Sequence, residues 1–123
     1  MENDRLKFKQ QFKQRLYTWT LKLIGFLDKL PADNVSRRIG DQLLRSGTSI
    51  IGNYIEGQSA SSRKDFTNFF TTALKSANES KLWLELLRDT KRTTSAETNW
   101  LYQELNEIGN ILASSILTLK GKR

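Results

Sequence analysis

The residue types best suited to chemistry in this chain fall on one stretch. Gln42, Arg45, Ser49, Asn53 and Glu56 recur at steps of three and four residues, so a helix carries them on one face. A solvated face would explain that spacing. Ser49 and Asn53, however, lie beside the apolar Ile50 and Tyr54, which predicts at least partial burial. Buried polar groups are costly unless paired, so Arg45, Ser49, Asn53 and Glu56, together with Glu79, are expected to form a hydrogen-bonded network. Such a network can be catalytic or structural; the structural role is favoured here.

The rest of the inventory argues against catalysis. The chain has no His and no Cys, which removes the commonest general base, the thiolate nucleophile and the usual soft metal ligands. A carboxylate-bridged metal site in a helical bundle needs paired Glu-x-x-His motifs. An all-carboxylate Mg²⁺ site from Glu56, Glu79 and Glu104 has no spacing that demands it. No phosphate-cradling glycine loop is present. A Ser–Lys pair is the nucleophile that composition leaves open. The expectation is a protein that is not an enzyme and holds no metal or cofactor.

These residues must be positioned by helices. The chain has 123 residues, a length that fits one domain spanning 1–123. Its single Pro, Pro31, divides the N-terminal half. Before it, Phe8, Phe12, Leu16, Trp19, Leu23, Phe26 and Leu30 form one apolar stripe at helical spacing. Ile39, Leu43, Gly47, Ile50 and Tyr54 continue the rhythm up to a break at 57–62. Ser62 with Asp65, and Thr94 with Glu97, read as capping boxes that start two further helices. Phe66, Phe70, Ala73, Ala77, Leu84 and Leu87 stripe the third, and Leu101, Leu105, Ile108, Leu112 and Leu119 the fourth. The predicted helices span roughly 5–30, 34–56, 62–91 and 95–119. Short connections make them antiparallel neighbours. The fold expected is all-α, an up-down-up-down four-helix bundle.

Two features sit oddly in such a bundle. Gly40, Gly47 and Gly52 each cost about 1 kcal/mol relative to Ala inside a helix, which predicts close approach by a neighbouring backbone. Tyr17, Leu21 and Ile24 fall about opposite the main stripe of the first helix. Three aligned apolar residues on an outer face predict a subunit interface.

At Arg45-Ser46-Gly47-Thr48-Ser49-Ile50-Ile51-Gly52-Asn53-Tyr54-Ile55-Glu56-Gly57 the sequence resembles the R-[SA]-x-x-S-I-x-x-N-[IV]-x-E-G signature of a bacterial family. That family consists of four-helix bundles named for the intervening sequences of large-subunit ribosomal RNA. Lys64-Asp65-Phe66 with Phe69-Phe70 is similar to its K-x-F-x-x-[FY]-L stretch, and Ala73, Ser76 and Glu79 to its A-x-G-S-x-x-E. Lys75 stands where Gly is expected, a change expected to loosen a helix–helix contact, and Tyr54 where Ile or Val is. The resemblance implies a ring-shaped homo-oligomer, typically a pentamer. It also implies kinship with the accessory variability determinant of diversity-generating retroelements, a basic barrel that binds nucleic acid and a reverse transcriptase.

Charge points to the same class of partner. The chain carries 20 Lys+Arg against 13 Asp+Glu, a net charge of +7. A field of that sign attracts polyanions, nucleic acid first. In an up-down-up-down bundle, Arg5, Lys7, Lys9, Lys13, Arg63, Lys64, Lys120, Lys122 and Arg123 gather at one end. The other end mixes Lys29, Arg37, Arg38, Arg88, Lys91 and Arg92 with Asp28, Asp33 and Asp89. Helix three begins at the richer end, where its N-terminal dipole favours phosphate. Lys and Arg neutralise phosphates without reading bases, so weak sequence specificity and strong salt sensitivity are expected. Phe8 and Phe12 read as core packing, and Trp100 and Tyr102 as the better candidates for exposed aromatics. The function expected is that of a non-catalytic, homo-oligomeric binder of RNA or DNA, RNA ahead of DNA. Its further partner is a protein such as a reverse transcriptase, and the alternative is a protein-interaction scaffold. No membrane role is expected. The polar start at Met1–Arg5 lacks a signal-peptide core, which points to the cytoplasm.

Overall fold

The computed structural model describes residues 2–121, the side chain of Glu2 excepted. It contains four helices: α1 (Glu2–Asp28), α2 (Asn34–Gln58), α3 (Arg63–Asp89) and α4 (Ser95–Leu119). No strand occurs among the described residues. Each helix packs on the next in sequence, and α4 closes the set against α1. With connections this short, the order is up-down-up-down.

Local chemistry explains the boundaries. Pro31 disfavours helical geometry in the residue before it, and α1 gives way to i→i+3 bonds from Lys29 N–H to Phe26 and from Leu30 N–H to Leu27, both 3.1 Å. Asp33 then caps α2, accepting from the Ser36 N–H at 2.9 Å and its hydroxyl at 2.7 Å. Ser62 caps α3 by accepting from the Asp65 N–H at 3.1 Å, half of the expected box. Thr94 occupies the cap position of α4 without a side-chain cap bond. Its carbonyl accepts from the Thr98 hydroxyl instead, at 2.9 Å. After α3 the chain reverses through Lys91 at φ 61°, a left-handed conformation that strains a residue with a Cβ.

The core follows the predicted stripes. Phe12, Leu16, Trp19, Leu23 and Phe26 are buried, and the Trp19 indole N–H donates to the Leu101 carbonyl at 3.0 Å, tying α1 to α4. Phe8 departs from its stripe. It is 52% exposed, because α1 runs past the last core layer at that end. The helix glycines also differ from expectation. A Cβ on Gly47 would stand 2.3 Å from a Leu23 methyl and 3.3 Å from the Trp19 ring, and one on Gly40 3.1 Å from a Leu30 methyl. Side chains of α1 and of Leu30 just beyond it, not a backbone, fill that space. At Gly52 nothing lies within 4 Å.

Candidate nucleic-acid interface

The polar signature residues build the seam between α2 and α3, the closest-packed pair of helices. The fully buried Ser46 and Ser80 hydroxyls meet across it at 2.7 Å. One turn on, the Ser76 hydroxyl donates to Ser49 Oγ at 2.9 Å, and the Asn53 amide donates to Ser49 Oγ at 2.8 Å and to its carbonyl at 2.9 Å. At the other end of the seam Arg45 donates to Glu79 and to Gln42, and the Trp83 indole N–H reaches Glu79 at 3.0 Å. The network thus falls into separate clusters. Glu56 belongs to none of them: it points outward and is exposed. Ser46 and Ser80 escaped the sequence reading. Their signal was the run of small residues Ala73, Ser76, Ala77 and Ser80, which lets the two helices approach. Lys75 is exposed, so it touches no helix–helix contact.

The three carboxylates considered for a metal do not converge. Glu79 is held by Arg45 and Trp83, while Glu104 accepts from Arg15 at 2.7 and 2.8 Å. The Arg15 hydrogen bond holds the Glu104 carboxyl below its ordinary range. Among the described residues no group of three or more Asp or Glu side chains is placed to hold a metal ion.

The cations divide by end. Arg5, Lys7, Lys9 and Lys13 lie on the first turns of α1, Arg63 and Lys64 on the first turn of α3, and Lys120 directly after α4. All seven are exposed, and none forms an ion pair among the described residues. Lys122 and Arg123 lie outside the described residues. Asp4, Glu56 and Asp65 share that end, and Asp65 takes part of the positive field at the start of α3. At the opposite end Lys29 pairs with Glu97 at 3.3 Å, Arg88 with Asp89 at 2.9 Å and Arg92 with Asp33 at 3.3 Å. Arg37, Arg38 and Lys91 at that end are exposed and form no ion pair among the described residues, so its charge is only partly neutralised within the fold.

Arg5 and Lys9 also line a groove of about 410 Å³ that runs between α1 and α4 over Phe8, Phe12 and Phe66. Phe8 is therefore an exposed aromatic, contrary to its place in the predicted stripe. Trp100 is 43% exposed, with the Lys22 ammonium 5.2 Å from its ring centroid. Tyr102 is half-buried and donates to Glu85 at 3.3 Å. Tyr17, Leu21 and Ile24 stand 52%, 53% and 41% exposed on the outer face of α1.

Residues 9–114 match the profile of the family described as 23S rRNA-intervening sequence protein. The chain belongs to that family. A solved structure described as a protein with unknown function from the S23 ribosomal protein family of Bacteroides thetaiotaomicron VPI-5482 is 34% identical. It superposes with a TM-score of 0.80, and the match covers 85% of this chain and 97% of that one. No curated protein matches the sequence. Within the 23S rRNA-intervening sequence fold, this chain's signature residues occupy the seam, and the larger share of its exposed, unpaired cations among the described residues gathers at one end.

Proposed function

We propose that this protein is a non-catalytic, basic, homo-oligomeric nucleic-acid-binding accessory protein that grips phosphates with weak sequence specificity. The observation that carries this reading is the excess, among the described residues, of exposed cations without ion pairs at one end of the bundle, seven against Arg37, Arg38 and Lys91 at the other. An even scatter of surface charge has no such bias, and phosphate chains are the partners that such a field recruits. RNA stands ahead of DNA because the family takes its name from a ribosomal RNA.

Assembly multiplies the effect. Tyr17, Leu21 and Ile24 leave α1 with an apolar outer face, and docking that face on further copies, in a ring such as a homopentamer, joins the cationic ends into a rim. The kinship with the accessory variability determinant that the resemblance implies makes a reverse transcriptase the protein partner to try first. The second reading, a protein-interaction scaffold, is favoured by Trp100 on α4, a large aromatic left half exposed. Among the described residues no helix is long and apolar enough to cross a membrane.

The test is titration of a labelled structured RNA across a salt series. Binding at about 50 mM salt that weakens steeply with added salt is expected. Combined reversal of Arg63, Lys64 and Lys120 to Glu is expected to abolish it. Affinity indifferent to salt, or partner capture unchanged by the reversal, favours the scaffold.

A further inference from the structure

The cationic end carries an apolar feature for which a purely electrostatic binder has no use. Five aromatic rings run across three helices, Phe8 and Phe12 from α1, Tyr54 from α2, Phe70 and Phe66 from α3, with successive centroids 6.3, 5.1, 5.4 and 4.5 Å apart. Phe12, Tyr54 and Phe70 are buried and need no partner beyond the core. Phe8 is different. It lies nearly parallel to Phe12, at 15°, and stays half exposed. Across from it α4 presents the small side chains of Ser114, Ser115 and Thr118, which leaves the groove of about 410 Å³. That volume lies within the ~300–1,000 Å³ usual for sites that hold small planar ligands.

We propose that this groove receives one unpaired nucleobase, stacked on Phe8, with the flanking phosphates held by Arg5 and Lys9. The inference rests on the polyanion reading above and names the part of the polymer that the site takes. An exposed flat ring beside two unpaired cations complements a flat ring beside two phosphates. Base–aromatic stacking is sequence-tolerant, in keeping with the expected weak specificity. The Ser115 hydroxyl donates to the Ile111 carbonyl at 2.9 Å and the Thr118 hydroxyl to that of Ser114 at 3.1 Å. Both residues line the groove, and each hydroxyl oxygen keeps lone pairs that can accept from an exocyclic amine such as that of adenine. Bases inside a duplex are already stacked and cannot enter, so the site selects single-stranded or looped segments.

The test compares three probes of equal length: single-stranded oligoadenylate, the same backbone without bases, and a blunt RNA duplex. The wild-type chain is expected to bind oligoadenylate about tenfold more tightly than the abasic strand. Phe8→Leu should erase that preference and leave abasic and duplex binding unchanged, while Phe8→Tyr, which keeps the ring, should retain it. A 2-aminopurine placed in the oligoadenylate should be quenched by the wild-type protein and stay bright with Phe8→Leu. Because Phe8 is half exposed, its truncation leaves the four other rings in place, and an unchanged thermal transition verifies this. Equal binding of all three probes by the wild-type chain overturns the base groove and leaves the polyanion reading standing. So does a Phe8→Leu variant that keeps its base preference but loses self-association, which would give the groove to a second copy. Failure of every probe to bind at about 50 mM salt brings down the polyanion reading and the groove together.

Discussion

Single residues carry the sharpest predictions. Gly47→Ala sets a methyl against the buried Leu23 and the rigid Trp19 ring. Overpacking of that kind costs about 1–3 kcal/mol, more than the gain of about 1 kcal/mol in helix propensity, so urea denaturation should show net destabilisation. Gly52→Ala meets nothing within 4 Å and should stabilise the protein by about 0.5–1 kcal/mol. Lys91→Gly relieves a left-handed residue at φ 61° and should raise the thermal midpoint, for a gain of about 1 kcal/mol. Asp33 adds a pH dependence. Its carboxyl is held down to about 2, first by the Ser36 N–H, then by the Ser36 hydroxyl, with Arg92 assisting. A carboxyl depressed in the folded state stabilises above its unfolded value of 3.8 and loses that contribution as pH falls through about 2. Asp33→Asn keeps a capping oxygen but removes the titration, so its stability should fall less steeply than the wild type's across that acid window. The sequence reveals Ser62 and the glycines as special positions, and Asp33 only as one acid of the mixed end. It does not reveal Phe8, because periodicity reports the direction of a side chain and not whether the neighbouring helices extend far enough to cover it.

Among the elements, the helices themselves were legible because burial drives them: a stripe at three- and four-residue steps has nowhere to go but a shared core. Ends shift by up to three residues, where caps and i→i+3 turns compete. The α2–α3 seam was legible only in part. Arg45, Ser49, Asn53 and Glu79 stood out as polar groups among apolar ones, yet which of them pair depends on the register of two helices, and Glu56 falls outside because its position turns to solvent. Ser46 and Ser80 were invisible as a pair, since one hydroxyl signals nothing until the facing helix is placed. A double-mutant cycle checks their coupling. Ser46→Ala or Ser80→Ala alone should each cost about 1 kcal/mol, and the double variant less than their sum, because no hydroxyl is then left without its cross-helix partner.

For the whole molecule, the excess of cations at one end was legible once the topology was, because helix order alone decides which charges share an end. The partial neutralisation of the other end was not, since Lys29–Glu97 and Arg92–Asp33 join residues distant in sequence. Replacing Lys7, Lys9 and Lys13 by Gln should lower the salt dependence of RNA binding by about one unit of log–log slope for each phosphate no longer neutralised. Leu21→Asp with Ile24→Asp should leave helicity intact and convert any assembly to monomers in light scattering. The crowding of α2 against α3 by serine and alanine has one more consequence, for the order in which the molecule forms. These two helices are joined by a short connection and touch along most of their length, so closing them loses little chain entropy. They should be the folding nucleus. Ala73→Gly and Ala77→Gly should therefore slow refolding, with φ of about 0.5–0.8, while Phe12→Leu and Leu16→Ala should mainly speed unfolding.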